Sequence, residues 1–83
     1  MNTETFVYEV YDFEELKRKL SSGANETLKA IEEKELQDDF INILNDILRA
    51  DEDSGKPTTL NNLDDFIDYE ADYIETLLNT KLF

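Results

Sequence analysis

Residues 36–48, LQDDFINILNDIL, carry the strongest periodic pattern in the chain. They contain neither Gly nor Pro, and their apolar side chains recur every three or four positions. This spacing is typical of an amphipathic helix that buries one stripe of side chains against other helices. The sequence therefore predicts a mainly α-helical protein built around this stripe, which consists of Leu36, Phe40, Ile43, Leu44, Ile47 and Leu48.

Upstream of this stripe the apolar contacts are interrupted. The sequence Glu-Glu-Lys-Glu separates Ile31 from Leu36 and is polar on every side. Because a packed helix needs a core contact every three or four residues, the segment 25–50 is predicted to form two helices that meet at a tight turn near Glu33. A single long helix that rolls its buried face at this point is the alternative.

The N-terminal residues 5–11, TFVYEVY, are rich in β-branched and aromatic side chains. This composition predicts one strand, with Phe6, Tyr8 and Val10 on a common face. A lone strand leaves backbone groups unpaired, so it needs a partner. The candidates for that partner are residues 57–60, residues 80–83 and the same strand of a second copy, which would form a homodimer.

Capping and turn residues divide the rest of the chain. Asp12 is predicted to cap a short helix over residues 13–20. Residues 51–59 contain the only Pro and one of the two Gly, which indicates a connector. One last helix is predicted from a cap within residues 59–62 to about residue 79. The expected fold is a small bundle of three or four helices with one short N-terminal β-strand, in a single acidic domain over residues 1–83.

The chain is strongly acidic, with 21 Asp and Glu against 8 Lys and Arg and a formal net charge of -13. The only basic cluster, at residues 17–19, is predicted to pair with its neighbours Glu14 and Glu15. A charge of this size repels nucleic acid and anionic membranes. We therefore expect neither as a direct partner, and we expect a basic surface on a nucleic-acid-binding protein instead.

Cysteine and histidine are absent. Their absence removes disulfides, Cys and Ser-His nucleophiles and the usual zinc ligands, so we expect no enzyme, no cofactor and no metal. No apolar run approaches the roughly 20 residues that span a bilayer, and residues 1–5 do not resemble the start of a signal peptide. Together with the lack of cysteine, these features predict a cytoplasmic protein.

The last predicted helix carries the densest acidic run, because no Lys or Arg lies between Pro57 and Thr80. Its six carboxylates would occupy about 16 Å of helix axis, or about one per 3 Å. A DNA strand carries one phosphate per about 3.4 Å. The predicted partner-binding residues of this helix are Asp64, Asp65, Asp68, Asp72 and Glu75, together with the interface-type rings of Tyr69 and Tyr73.

A second acidic cluster follows the preceding helix. An EF-hand calcium loop that began there would need Gly at its sixth position and Glu at its twelfth, and the chain has Lys56 and Asn62 at these places. The cluster is therefore predicted to extend the acidic binding surface, with Asp51, Glu52 and Asp53 in support.

These features favour an acidic protein-binding inhibitor that mimics nucleic acid and blocks the basic site of a DNA- or RNA-binding protein or a nuclease. In composition, although in no aligned motif, the chain is similar to the DNA-mimic proteins of phages and mobile elements, including restriction and CRISPR inhibitors. It is similar in the same way to acidic immunity proteins that block nuclease toxins. Replacing Asp68, Asp72 and Glu75 together by Asn or Gln is predicted to weaken partner binding and to leave the fold intact.

The alternative function is a small helical interaction or regulatory subunit that docks through an apolar surface. The acids would then serve solubility alone. That surface would use Phe40, Leu60, Tyr73 or Phe83. The two hypotheses differ in salt dependence, because salt weakens contacts between exposed charges and leaves apolar contacts nearly unchanged.

Overall fold

Five helices and one two-stranded sheet surround one apolar core in the computed structural model, which describes residues 5–83. Residues 1–4 of the predicted domain lie outside the described residues, together with most of the segment considered for a signal peptide. In chain order the elements are β1 (Phe6–Val7), α1 (Phe13–Lys19), α2 (Ser22–Glu33), α3 (Gln37–Asp53), β2 (Thr58–Thr59), α4 (Leu60–Tyr69) and α5 (Ala71–Leu78).

Every helix contributes to the core, and α2 packs closely against α4. Phe40 of α3 is buried and meets Phe13 of α1 edge-on, with ring centroids 6.3 Å apart. The predicted stripe of α3 is confirmed: one side of it is fully buried and the other is half-buried. The largest fully buried side chains are Phe40, Leu28, Ile31, Leu44, Leu48, Leu63, Ile67 and Ile74. None of the helices within residues 5–83 is long and apolar enough to cross a membrane.

The predicted break between two helices near Glu33 is confirmed. Helix α2 ends at Glu33, and Glu35 adopts a left-handed conformation with φ 57°. The Leu36 amide then donates to the Ile31 carbonyl at 3.1 Å, a bond that closes the end of a helix in a Schellman motif. The same i→i−5 bond ends α3 behind Gly55 and α5 behind Asn79, and both of these residues also have positive φ.

The prediction of one continuous last helix is wrong. Helix α4 ends at Tyr69 and α5 begins at Ala71, with Glu70 outside helical geometry between them (φ −105°, ψ 34°). Ile67 and Ile74 are both buried. The interruption at Glu70 separates two helices that each contribute one of these isoleucines to the core. It also raises the number of helices from the expected three or four to five.

The N-terminal strand is shorter than predicted, and its partner lies within the chain. Strand β1 pairs antiparallel with β2, with Phe6 opposite Thr59 and Val7 opposite Thr58. Of the three candidate partners, residues 57–60 are thus the one observed in the structure. The homodimer through this strand stays a prediction.

The predicted common face of Phe6, Tyr8 and Val10 is also wrong. Phe6 and Tyr8 are exposed, and Val10 is buried. The reason is that strand pairing stops after Val7. Beyond that point, the side chain of Asn45 in α3 forms the hydrogen bonds to the backbone of Val10. Its amide accepts a hydrogen bond from the Val10 N–H at 2.8 Å and donates one to the Val10 carbonyl at 2.9 Å. This pair of bonds satisfies Val10 as a neighbouring strand would.

Candidate functional site

Two acids of the predicted binding surface lie at the N-terminus of α2. Asp64 accepts hydrogen bonds from the backbone N–H and the hydroxyl of Ser21, both at 2.9 Å. The carboxylate of Asp68 lies over Gly23, where an added Cβ would come within 2.6 Å of its oxygens. Helix α2 has no acid in its own first turn. Because the N-terminus of a helix carries partial positive charge, these two carboxylates from α4 stabilise the start of α2.

A third acid of the predicted surface holds the C-terminal segment. Glu75 accepts hydrogen bonds through Oε2 from the backbone N–H groups of Leu82 and Phe83. The bond from Leu82 lowers the pKa of the Glu75 carboxyl below its ordinary value. The side chain of Leu82 is buried in the core. Glu75 therefore connects α5 to the segment that follows it.

Asp51 is also engaged within the molecule. Its carboxylate accepts a hydrogen bond from the Thr58 hydroxyl, and its carbonyl accepts one from the Ser54 hydroxyl at 2.8 Å. These bonds shape the connector between α3 and β2. The two acids that follow, Glu52 and Asp53, are exposed. Only these two members of the second acidic cluster are free to contact a partner.

The remaining predicted residues surround the junction between α4 and α5. Asp65, Tyr69, Asp72 and Tyr73 are all exposed, and so is Glu70 at the junction itself. The Tyr69 side chain is 76% exposed, and Tyr73 is 49% exposed. The ring of Tyr73 meets that of Phe66 edge-on, with centroids 6.1 Å apart, which places α5 against α4. We call the set Asp65, Tyr69, Glu70, Asp72 and Tyr73 the α4–α5 face.

Within residues 5–83, no carboxylate of the α4–α5 face belongs to an ion pair. The ion pairs within the described part of the chain all lie on α1 and α2. Lys17 is 3.6 Å from Glu14 and 3.1 Å from Glu32, and Lys19 is 2.7 Å from Glu15. This confirms the predicted pairing of the basic cluster. The hydrogen bond to Glu32 raises the pKa of Lys17. These pairs leave Asp65, Glu70 and Asp72 without an ion-pair partner among residues 5–83. Lys81, which follows α5, borders one surface hollow together with Asp72 and Glu75.

A second surface was not anticipated from the sequence. The segment from Thr5 to Asp12 borders a cleft of about 430 Å³ whose apolar side is formed by Leu16, Leu60 and Leu63. Phe6, Tyr8 and Tyr11 are exposed around it. The density of aromatic residues in TFVYEVY is the signal for this surface in the sequence, but the same residue types also favour a strand.

The apolar docking surface considered as the alternative is only partly available. Phe40 belongs to the core and is 1% exposed, so its assignment to a docking surface is wrong. Its place in the middle of the α3 stripe explains this burial. Leu60 is half-buried against the core. Tyr73 and Phe83 are exposed.

Among residues 5–83, no group of three or more acidic side chains is arranged to hold a metal ion.

Comparison with known proteins identifies no relative. The chain matches no protein-family model, no curated protein and no solved structure. The candidate site is therefore defined by the geometry and charge of the α4–α5 face.

Proposed function

We propose that this chain is an acidic protein-binding inhibitor that mimics nucleic acid and occupies the basic site of a DNA- or RNA-binding protein. A nuclease of a restriction, CRISPR or toxin system in the cytoplasm would be such a target. The observation that supports this proposal is the unneutralised α4–α5 face. Its carboxylates form no ion pair with any described residue, and exposed carboxylates accept charge-assisted hydrogen bonds from Lys and Arg.

The energetic argument rests on which acids have a role inside the fold. Like charges one turn apart on a helix repel by a few tenths of a kcal/mol. For Asp64 and Asp68 this repulsion is offset by the N-terminus of α2. Asp65 and Glu70 accept no side-chain hydrogen bond from residues 5–83. A cationic partner would give these two acids the stabilisation that the fold does not supply.

Affinity capture tests the proposal. The protein is immobilised and exposed to an extract of its source cells at about 50 mM salt. Bound proteins are then eluted either by raised salt or by an excess of random-sequence double-stranded DNA. We expect a nucleic-acid-binding protein that both treatments release, because salt screens the contacts and DNA competes for the same basic site. Failure to retain any protein that DNA releases would contradict the proposal.

The second candidate function, a regulatory subunit that docks through an apolar surface, is favoured by one observation. Exposed aromatic side chains surround the N-terminal cleft. In that case partner binding would persist at high salt and would be lost in the Tyr8→Ala/Tyr11→Ala double variant. The D65N/E70Q/D72N triple variant would bind normally. The two functions are separated by these opposite responses.

A further inference from the structure

The α4–α5 face combines two chemical features that the proposed function uses only in part. Its carboxylates supply negative charge, but its two tyrosines add flat aromatic surface beside them. Tyr69 follows Asp65 by four residues within α4, so the two side chains are neighbours on the helix surface. Tyr73 lies on the exposed side of α5. The ring of Tyr69 therefore has the Asp65 carboxylate as a neighbour, and Tyr73 adds a second exposed ring to the same face.

The rings of Tyr69 and Tyr73 are exposed to solvent. Tyr69 is among the most exposed aromatic side chains described, at 76%. Tyr73 is held at one edge by Phe66, which itself packs against the core. This contact restricts the ring of Tyr73 before any partner arrives. A pre-oriented aromatic side chain loses little conformational entropy when it is covered, which favours its use in binding.

A guanidinium group fits this combination better than an ammonium group. Arginine is planar, is weakly hydrated, stacks on aromatic rings and pairs with carboxylates through two parallel N–H donors. Lysine presents a compact and strongly hydrated charge. A nucleotide offers arginine the same two features, because its base provides a flat π surface for stacking and its phosphate provides an anion.

We propose that the α4–α5 face imitates a nucleotide, with the Tyr69 ring in the place of a base and the Asp65 carboxylate in the place of a phosphate. Tyr73 supplies a second ring for stacking, and the face as a whole selects arginine over lysine. This inference rests on the proposed function and extends it. It assigns Tyr69 and Tyr73 a specific role in partner choice, whereas net charge alone would treat all cations alike. The partner it fits is a groove lined by arginine side chains.

The test compares two synthetic peptides of equal length and charge, (Arg-Gly)₅ and (Lys-Gly)₅. Each is titrated into the ¹⁵N-labelled protein at low salt, and amide shifts are followed by NMR. We expect both peptides to shift residues 65–77, and the arginine peptide to bind about two- to fivefold more tightly for each ring it stacks on. Equal affinities at this face would overturn the arginine preference and leave the proposed function standing. Shifts confined to other surfaces would overturn both.

Variants separate the rings from the charge. In Tyr69→Leu/Tyr73→Leu the carboxylates and the apolar area remain. We therefore expect the affinity for the arginine peptide to fall to the affinity for the lysine peptide. Because Tyr73 contacts Phe66, its replacement could disturb the packing of α5, so the single Tyr69→Leu variant is measured as well. We expect this variant to lose about half of the logarithm of the ratio between the affinities for the two peptides. Tyr8→Leu/Tyr11→Leu is the matched control, because it removes two exposed tyrosines from the N-terminal cleft, away from the α4–α5 face. An equal loss in that control would overturn the inference.

Discussion

Asp64 illustrates how a residue of an acidic run can have a structural role. It is bonded to both the backbone and the hydroxyl of Ser21, the residue that caps α2. Its neighbour Asp65 is exposed and accepts no side-chain hydrogen bond from the described residues. The sequence shows two identical residues side by side, yet only one of them supports the fold.

This difference gives a prediction at the scale of one residue. We expect Asp64→Asn to lower the free energy of unfolding by about 1 kcal/mol, because an amide is a weaker acceptor for the Ser21 donors and loses its attraction to the start of α2. Asp65→Asn is the matched control and should leave the stability unchanged or slightly higher. Urea unfolding followed by circular dichroism measures both. Equal effects in the two variants would show that the Ser21 contact contributes nothing.

The role of Asp64 could not be predicted from the sequence. Helical periodicity places Asp64 at the edge of the apolar stripe, but it does not say which neighbouring element that edge meets. Ser21 is 43 residues away along the chain. The local cap of Asp12 on α1, by contrast, was predictable and is confirmed, since its side chain accepts from the Glu14 amide only two residues away.

At the scale of an element, the turn between α2 and α3 contains a strained residue. Glu35 has φ 57°, where the Cβ of an L-amino acid is crowded. We expect Glu35→Gly to raise the free energy of unfolding by about 0.5–1 kcal/mol, because glycine removes that strain and only part of the gain is offset by greater freedom of the unfolded chain.

Glu26→Gly provides the matched control for this prediction. It removes the same charge from an exposed position in the interior of α2. There we expect a loss of about 1 kcal/mol, since glycine is a poor helix former. Thermal unfolding of the two variants distinguishes them. A loss of stability in Glu35→Gly would contradict the assignment of strain to this turn.

The bond between Glu75 and the C-terminal segment predicts a local response to pH. Its folded pKa is lowered below 4.5, so the bond is fully present above that pH and is lost as pH falls through the folded pKa. We expect the Leu82 and Phe83 amide shifts to change together in NMR spectra, with a midpoint below 4.5. In Glu75→Gln this transition should disappear. A midpoint at or above 4.5 in the unmodified protein would contradict this role of the bond between Glu75 and the C-terminal segment.

This bond also changes how the binding surface is tested. The combined substitution of Asp68, Asp72 and Glu75 predicted from the sequence would release the C-terminal segment and remove the Asp68 carboxylate from the start of α2. Any loss of binding would then mix structural and surface effects. The D65N/E70Q/D72N variant avoids both contacts.

The helices show one break that sequence periodicity predicts and one that it does not. The polar gap between Ile31 and Leu36 correctly predicted a break. No such gap marks the interruption at Glu70, because Ile67, Ala71 and Ile74 follow one another at spacings of four and three residues. The segment also contains neither Gly nor Pro. The sequence therefore favours one continuous helix there, and only the structure shows the break.

At the scale of the whole molecule, the ion pairs and the densest acidic run lie on different helices. The described ion pairs occupy α1 and α2, whereas residues 60–78, from the start of α4 to the end of α5, carry six acids and no base. The excess of acid over base was readable from composition. Its division into carboxylates that support the fold and carboxylates that face solvent depends on contacts between distant elements, and only the structure shows it.

The decisive measurement is the affinity of a DNA-displaceable partner for three forms of the protein, determined by calorimetry at one salt concentration. These are the unmodified chain, D65N/E70Q/D72N, and E26Q/E33Q/D46N, which removes the same charge from exposed positions on α2 and α3. We expect the first triple variant to bind at least about tenfold more weakly, a loss of about 1.4 kcal/mol, and the second to bind within about twofold of the unmodified chain. Equal losses in the two triple variants, or unchanged affinity in the first, would contradict binding through the α4–α5 face.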